Sequence, residues 1–293
     1  MIQKILEDTY LIKTPFSGLW SGCFFFTGEK NIMVDTGATA EVADEVIVPA
    51  LAEIGYGPED IDFVINTHCH GDHTGGNRRM LELSGKAKMA AFELAKDKIE
   101  NPLKYGRAIR LKYPEHSPAP QTVLDGCPVD VVLKEGEVLG GRLKVFSTPG
   151  HDSEAISLLD IKTNALFTGD TLQFLGMAGA EGAAGLAFVQ YLGAYRDTIQ
   201  KIRKIGPDYL FAAHDYIPFG FMSEGKKEVE LNLRVCEDVI GIYDVLVRRE
   251  LAAGNTDTAS IAANLCRRLG AEVPAKLFMA MYTVDEHRKE IGL

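Results

Sequence analysis

Long apolar runs are missing from this chain of 293 residues. No stretch reaches the ~18 consecutive apolar residues that a bilayer-spanning helix needs, which argues against a helical membrane protein. The first residues, Met1 to Asp8, lack the apolar segment of a secretory signal and turn acidic at Glu7. Cysteine is scarce. The five residues Cys23, Cys69, Cys127, Cys236 and Cys266 are scattered, odd in number and contain no C-x-x-C pair. Thiols in a reducing compartment are a better reading than a disulfide framework. Positive charge is in deficit: 31 Lys and Arg stand against 41 Asp and Glu, a formal net charge of −10. Such a field repels nucleic acid unless a local basic patch overrides it. No G-x-S-x-G is present, and there is neither a short tandem repeat nor a low-complexity tract. The expectation is a cytoplasmic protein that acts on a small molecule, with no nucleic-acid or membrane partner.

What is present is an ordinary globular composition, 46% apolar and 25% charged. It suits one large domain, or a domain of roughly 200 residues with an appendage. Thr9–Ile12, Cys23–Phe26 and Ile32–Val34 read as strands separated by Ser17-Gly18 and Gly28–Asn31, an antiparallel meander that ends in Asp35-Thr36-Gly37. Val42, Val46, Ile47, Leu51 and Ile54 follow at helical spacing, then a strand over 61–66 and a helix from Asn77 to Leu83. The stretch 92–122 reads as an insertion or flap, helical over 92–98. It carries Lys104, Arg107, Arg110 and Lys112, and Pro114, Pro118 and Pro120 exclude a long helix at its end. It is either a solvated basic loop or a lid that touches substrate. Strand patterns return at 129–133, 143–146, 155–159 and 165–167. A Gly-rich loop over 176–185, a helix over 190–205 and a short strand Tyr209–Ala213 follow. From about 223 the pattern is helical, with further helices expected over 258–269 and 274–290. The expected division is a catalytic domain over 1–222 and a helical extension over 223–293. The apolar stripes of that extension need a partner surface, either the edge of the domain or a second copy in a homodimer.

One stretch stands apart. Thr67-His68-Cys69-His70-Gly71-Asp72-His73-Thr74-Gly75-Gly76-Asn77 packs three of the seven histidines and an aspartate into six residues, behind the apolar run Phe63-Val64-Ile65. His151, Asp170 and His214 each follow a later β segment, which would bring them to one edge of a sheet sandwich. Burying so many imidazoles and carboxylates together without an ion is costly, and a divalent cation relieves the cost. His116 and His287 have no ligand spacing and read as surface residues, although His116 lies in the flap. Cys69 should point away from its neighbours and reads as packing. Phe174, Phe188, Tyr191, Tyr195, Phe219 and Phe221 would give an apolar, aromatic lining suited to an acyl or aromatic carbonyl, or else belong to the core.

His68-x-His70-x-Asp72-His73 followed by His151, Asp170 and His214 resembles the metallo-β-lactamase-fold hydrolases. Asp35-Thr36-Gly37 and Gly169-Asp170 match as well, and the likeness covers roughly residues 1–220. It implies a four-layer αβ/βα sandwich with a C-terminal helical extension. It implies two divalent metal ions: one held by His68, His70 and His151, a second by Asp72, His73 and His214, with Asp170 bridging. The donors suit Zn, with Fe or Mn as alternatives. The chemistry implied is attack by a metal-bound hydroxide, with Asp72 orienting the nucleophile and handling its proton. Dizinc β-lactamases of this fold usually carry a cysteine where Asp170 stands, and flavo-di-iron relatives a glutamate where His70 stands. Several lactonases carry a tyrosine where Gln173 stands. Within the superfamily the chain resembles glyoxalase II and a quinolone-signal thioesterase branch, so a small ester, thioester or lactone is the expected substrate. Alternatives are a mononuclear-iron persulfide dioxygenase, a phosphodiesterase and a non-catalytic metal-binding regulator.

Overall fold

The structure is a computed structural model that describes residues 2–119, 122, 124–180 and 182–293. Met1 and Pro120 lie outside the described residues. The chain forms two compact units that do not follow sequence order. The first comprises Met1–Ile109, Gln121–Ser147 and Glu154–Gly169, the second Arg110–Pro120, Thr148–Ser153 and Asp170–Leu293.

In the first unit, seven strands lie side by side in sequence order: β1 (Ile2–Leu6), β2 (Thr9–Phe16), β3 (Leu19–Phe26), β4 (Ile32–Val34), β5 (Phe63–Ile65), β6 (Lys88–Phe92) and β7 (Val131–Leu133). β1 to β4 pair antiparallel, the meander expected from the turn signals, and β4 to β7 pair parallel. Parallel strands are covered on both faces and so read as unbroken apolar runs. Ile32, Met33, Val34, Val64 and Ile65 are all fully buried, as that rule requires. A second sheet in this unit joins β8 (Val138–Leu139), β9 (Leu143–Ser147), β10 (Ile156–Asp160) and β11 (Ala165–Gly169), antiparallel throughout. The two sheets meet face to face where Phe167 takes the ring edges of Phe24 and Phe26, at centroid distances of 4.9 and 4.8 Å. Arg142 bridges them at the rim. It pairs with buried Asp160 at 2.7 Å and donates to the carbonyls of Thr27 and Asp8 at 2.9 and 3.1 Å.

Helical crossovers link the parallel strands. The apolar spacing of 42–54 yields a helix capped by Thr39, which accepts from the Val42 N–H, with a wide π turn over Ala43–Ile47. Phe92 ends strand β6 instead of opening a helix, and Lys96–Glu100 is the helix that follows. Lys88-Met-Ala-Ala-Phe has little strand propensity, so burial between two parallel neighbours decides its state. Pro102 opens a second helix, Pro102–Leu111, because proline gives up no bond in a first turn. The expected flap is thus largely helical.

The second unit holds the hairpin β12 (Tyr209–Tyr216) and β13 (Gly220–Glu224), and the helices Leu192–Ile205, Lys226–Ala252, Thr258–Arg268 and Phe278–Ile291. The apolar stripes of the last three helices bury one another. Val239, Tyr243 and Val247 pack with Ile261, Leu265, Met281 and Val284, and with Leu186 and Ala187 from the chain ahead of them. Asp257 caps Thr258–Arg268 by accepting from Ser260 N at 2.8 Å. His287 is not a surface residue. It is wholly buried with its ring 6.0 Å from Tyr243, and burial lowers its pKa to about 4. The segment after Arg110 is fastened to the last helix: Tyr113 donates to Asp285, and Lys112 pairs with Asp285 at 3.0 Å while lying 4.3 Å over the Tyr282 ring. Among the described residues no helix is long and apolar enough to cross a membrane.

Candidate metal centre

The first set of ligand candidates sits where β5 ends. β4 and β5 are parallel neighbours, so the residues just past their ends lie side by side. Asp35 follows β4 in the left-handed region, at φ 60°. Its carboxylate accepts from Thr67 N at 2.8 Å and Thr67 Oγ1 at 2.9 Å, and faces Nδ1 of His73 at 2.9 Å. Asn66 Nδ2 donates to the carbonyl of His73 at 2.8 Å, closing the loop on itself. Asp72 and His73 lie on the single turn Gly71–Thr74. Gly75 ends that turn where a Cβ would lie 1.9 Å from the Ala38 carbonyl oxygen, so only glycine fits. The loop gathers its side chains closely. The His68 ring is 4.6 Å from His70 and 4.1 Å from His73, and His73 Nε2 is 3.2 Å from Asp72 Oδ2.

This arrangement fits a cation. The Asp35 carboxylate accepts hydrogen bonds and offers none, so His73 Nδ1 carries a hydrogen and Nε2 presents its lone pair. Cys69 is turned elsewhere, with Sγ 3.8 Å from the Ala95 carbonyl oxygen. Burial, and secondarily the Asp35 charge, push the Cys23 thiol far above its usual value, so it stays a neutral packing group.

The second set comes from three segments. His151 follows Gly150, whose backbone lies against Tyr195: a Cβ there would sit 2.8 Å from the Tyr195 Cα. Its Nδ1 is 3.0 Å from the Phe188 carbonyl oxygen and 2.9 Å from Gln173 Nε2, and the Phe188 N–H donates to Gln173 Oε1 at 2.7 Å. The carbonyl can only accept, so the tautomer that donates to it presents Nε2. Asp170 follows the end of β11. Its Oδ2 is 3.7 Å from His151 Nε2 and its Oδ1 3.3 Å from His214 Nε2. His214 was expected just past a strand, but β12 continues through it to Tyr216. A carboxylate with one oxygen toward each of two imidazoles suits a position shared between ligands. His68, His70, Asp72 and His73 in the first unit, and His151, Asp170 and His214 in the second, are the residues that could hold a metal.

The aromatic candidates separate. Phe174 is buried and packs edge-on to Tyr216 and Phe219, at 6.1 and 5.3 Å. Tyr195 is a core residue, fully buried, and its hydroxyl is pushed well above its usual pKa by that burial. Tyr191 is 43% exposed. Phe188 lies 5.2 Å from the His151 ring. Sequence reasoning named Asp35 and Gln173 only as points of likeness or departure. Their contacts with His73 and His151 come from strand register and from a carbonyl far along the chain.

The chain is a mixed α/β fold of two β-sheets with helices, with its His and Asp ligand candidates gathered at or near strand ends. The family model described as Metallo-beta-lactamase superfamily matches residues 22–214, and the chain belongs to that family. Among curated proteins it is 23% identical over 262 residues to an atrochrysone carboxyl ACP thioesterase of Aspergillus fumigatus, covering 88% of this chain and 71% of that one. A probable metallo-hydrolase of Methanocaldococcus jannaschii is 28% identical over 57% of this chain and 74% of its own length. A beta-lactamase-like protein 2 homolog of Caenorhabditis elegans is 29% identical over 64% of this chain, which spans about half (53%) of that relative. In fold the chain is similar to a metallo-beta-lactamase family protein of Thermus thermophilus, with TM-score 0.72 and 19% identity over 99% of this chain and 95% of that one.

Proposed function

We propose that this protein is a metal-dependent hydrolase of a small ester, thioester or lactone, with a thioester preferred. Two divalent cations, zinc by preference, would be held by the full set named above: His68, His70 and His151 for one, Asp72, His73 and His214 for the other, with Asp170 shared. The observation that carries this reading is the bracing of the rings. His73 is held at Nδ1 by a carboxylate and His151 at Nδ1 by a carbonyl, and each leaves Nε2 for a cation. When bound, such cations supply Lewis acidity and lower the pKa of water. The remaining work falls to the chain. Asp72 Oδ2, 3.2 Å from His73 Nε2, accepts and returns the proton of the attacking water. His73 stays neutral and fixed on Asp35. The ring of Phe188 offers an apolar surface beside His151 on which an acyl group can rest. The thioester preference is supported by the activity for which the fungal relative is named, since its similarity runs over most of this chain.

The test is turnover by metal-loaded protein of a panel of acyl thioesters, aryl esters, lactones and phosphodiesters, together with metal analysis. Hydrolysis of thioesters with two metal equivalents is expected. Turnover of phosphodiesters alone would overturn the reading, as would one iron per chain with oxygen uptake on a persulfide.

A further inference from the structure

Glu154 is a buried carboxylate with no part in the reaction proposed above. Its side chain is 0% exposed, and both of its oxygens are engaged inside the first unit. Oε1 accepts the backbone N–H of Cys69 at 3.2 Å, and Oε2 takes the ammonium of Lys98. Lys98 belongs to the helix Lys96–Glu100 and is itself only 15% exposed. Its nitrogen lies 5.5 Å from the ring centroid of Tyr105, on the following helix. The Cys69 thiol points to Ala95, the residue that leads into the Lys98 helix. Cys69 is therefore gripped twice, at its N–H and at its side chain.

The position of that grip is what matters. Cys69 stands between His68 and His70, so rotation of its peptide redirects both imidazoles at once. A neutral acceptor would satisfy the N–H at less desolvation cost than a carboxylate. A carboxylate locked by an ammonium gives a stronger hold, since charge-assisted bonds are roughly twice as strong as neutral ones. We infer that Glu154, set in place by Lys98, is a positioning residue that fixes the Cys69 peptide and thereby aims His68 and His70 at a divalent cation. It touches neither substrate nor metal and acts through the loop.

The inference rests on the reading of His68 and His70 as metal ligands, so it is tested by metal binding and not by turnover. Wild type, Glu154→Gln, Glu154→Leu and Lys98→Met are compared for zinc affinity by chelator competition, for the ligand-field spectrum of the cobalt(II)-loaded protein and for melting of the apo protein. Glu154→Leu is expected to weaken zinc by about 10–100-fold and to alter the cobalt spectrum. Glu154→Gln keeps an oxygen for the Cys69 N–H but loses the charge that Lys98 anchors, and is expected to fall between wild type and Glu154→Leu, within about tenfold of wild type. Lys98→Met, which leaves the carboxylate present but unanchored, is expected to alter the cobalt spectrum as well, and it carries the test if Glu154→Leu does not fold. Wild-type affinity and spectrum in Glu154→Leu would overturn the inference, as would a loss in Glu154→Gln equal to that in Glu154→Leu. So would an unaltered spectrum in Lys98→Met where Glu154→Leu does not fold. Failure of the wild type to bind zinc or cobalt would instead remove the functional reading on which the inference stands.

Discussion

The two sets of ligand candidates are braced in opposite ways. His68, His70, Asp72 and His73 crowd into six residues, and buried carboxylates hold their loop: Asp35 at Thr67 and His73, Glu154 at Cys69. His151, Asp170 and His214 come from separate segments, and the ring of His151 is steadied by a neutral group, the Phe188 carbonyl, whose own residue is held at its N–H by Gln173 Oε1. The difference follows from geometry. A ligand that leaves a strand inherits its direction from the sheet. Four ligands in one tight loop cannot, so their directions are imposed from outside, by acceptors whose hydrogen bonds are worth about 1.5–3 kcal/mol where neutral ones give about 0.5–1.5 kcal/mol.

The sharpest way to break this comparison is at the loop's own carboxylate. Asp72→Asn is expected to lower kcat/KM by about 10²–10⁴-fold, the usual worth of a positioned proton acceptor. The apo protein should melt close to wild type, because the substitution keeps the size of the side chain. A variant with unchanged turnover would remove Asp72 from the chemistry and leave the crowded loop with a purely structural meaning.

Charge bracing in the first unit extends beyond the loop. Asp160 is fully buried and paired with Arg142. Arg142→Met would leave that carboxylate without its cation, and a loss of about 3–5 kcal/mol in urea unfolding is expected. Arg142→Met combined with Asp160→Leu should recover much of it, since replacing both partners removes the stranded charge. Equal losses in the single and double variants would show that the Arg142 guanidinium over the Phe26 ring, at 5.0 Å, matters more than the ion pair with Asp160.

The second unit should show a different acid response. His287 is buried among Tyr243, Asp244, Glu286, Glu290 and Arg196, and burial holds its pKa near 4. The unfolded chain takes up this proton near pH 6.5 and the folded chain only near pH 4, so the unfolded state binds more protons in between. Stability from this group is complete above pH 6.5 and falls by up to about 3 kcal/mol as pH drops to 4. Melting measured against pH in wild type and His287→Phe tests it, and the variant should lose part of the slope in that window. Parallel curves would place the acid sensitivity elsewhere.

Much of this was legible in the sequence where local pattern and chemistry coincide. The run 68–73 announces itself because ligands and apolar strand are contiguous, and the meander and terminal helices carry clear turn signals and stripes. The braces are another matter. Nothing around Glu154 or Arg142 in the chain marks either as a brace, since their partners lie far away in sequence and only the fold brings them together. β13 was hidden because Gly220–Glu224 has no alternation of its own and is a strand only through pairing with β12. His287 looked like a surface residue because its polar neighbours Glu286 and Arg288 hide a helix face turned inward.

The smallest expected effect comes from comparing the two braces directly. Asp35→Asn keeps the side-chain shape but leaves one oxygen to accept from Thr67 and turns an amide N–H toward His73 Nδ1. That favours the tautomer with hydrogen on Nε2, the wrong one for a ligand, and zinc affinity should fall by about 10–100-fold. Gln173→Leu removes the acceptor of the Phe188 N–H and leaves the Phe188 carbonyl at 3.0 Å to hold the His151 ring. A loss of no more than about threefold is expected there, the worth of one neutral hydrogen bond. Chelator competition measures both. If Gln173→Leu cost as much as Asp35→Asn, neutral groups would be as decisive as buried carboxylates, and the contrast between a crowded loop and separate strand ends would not explain how this chain holds its ligands.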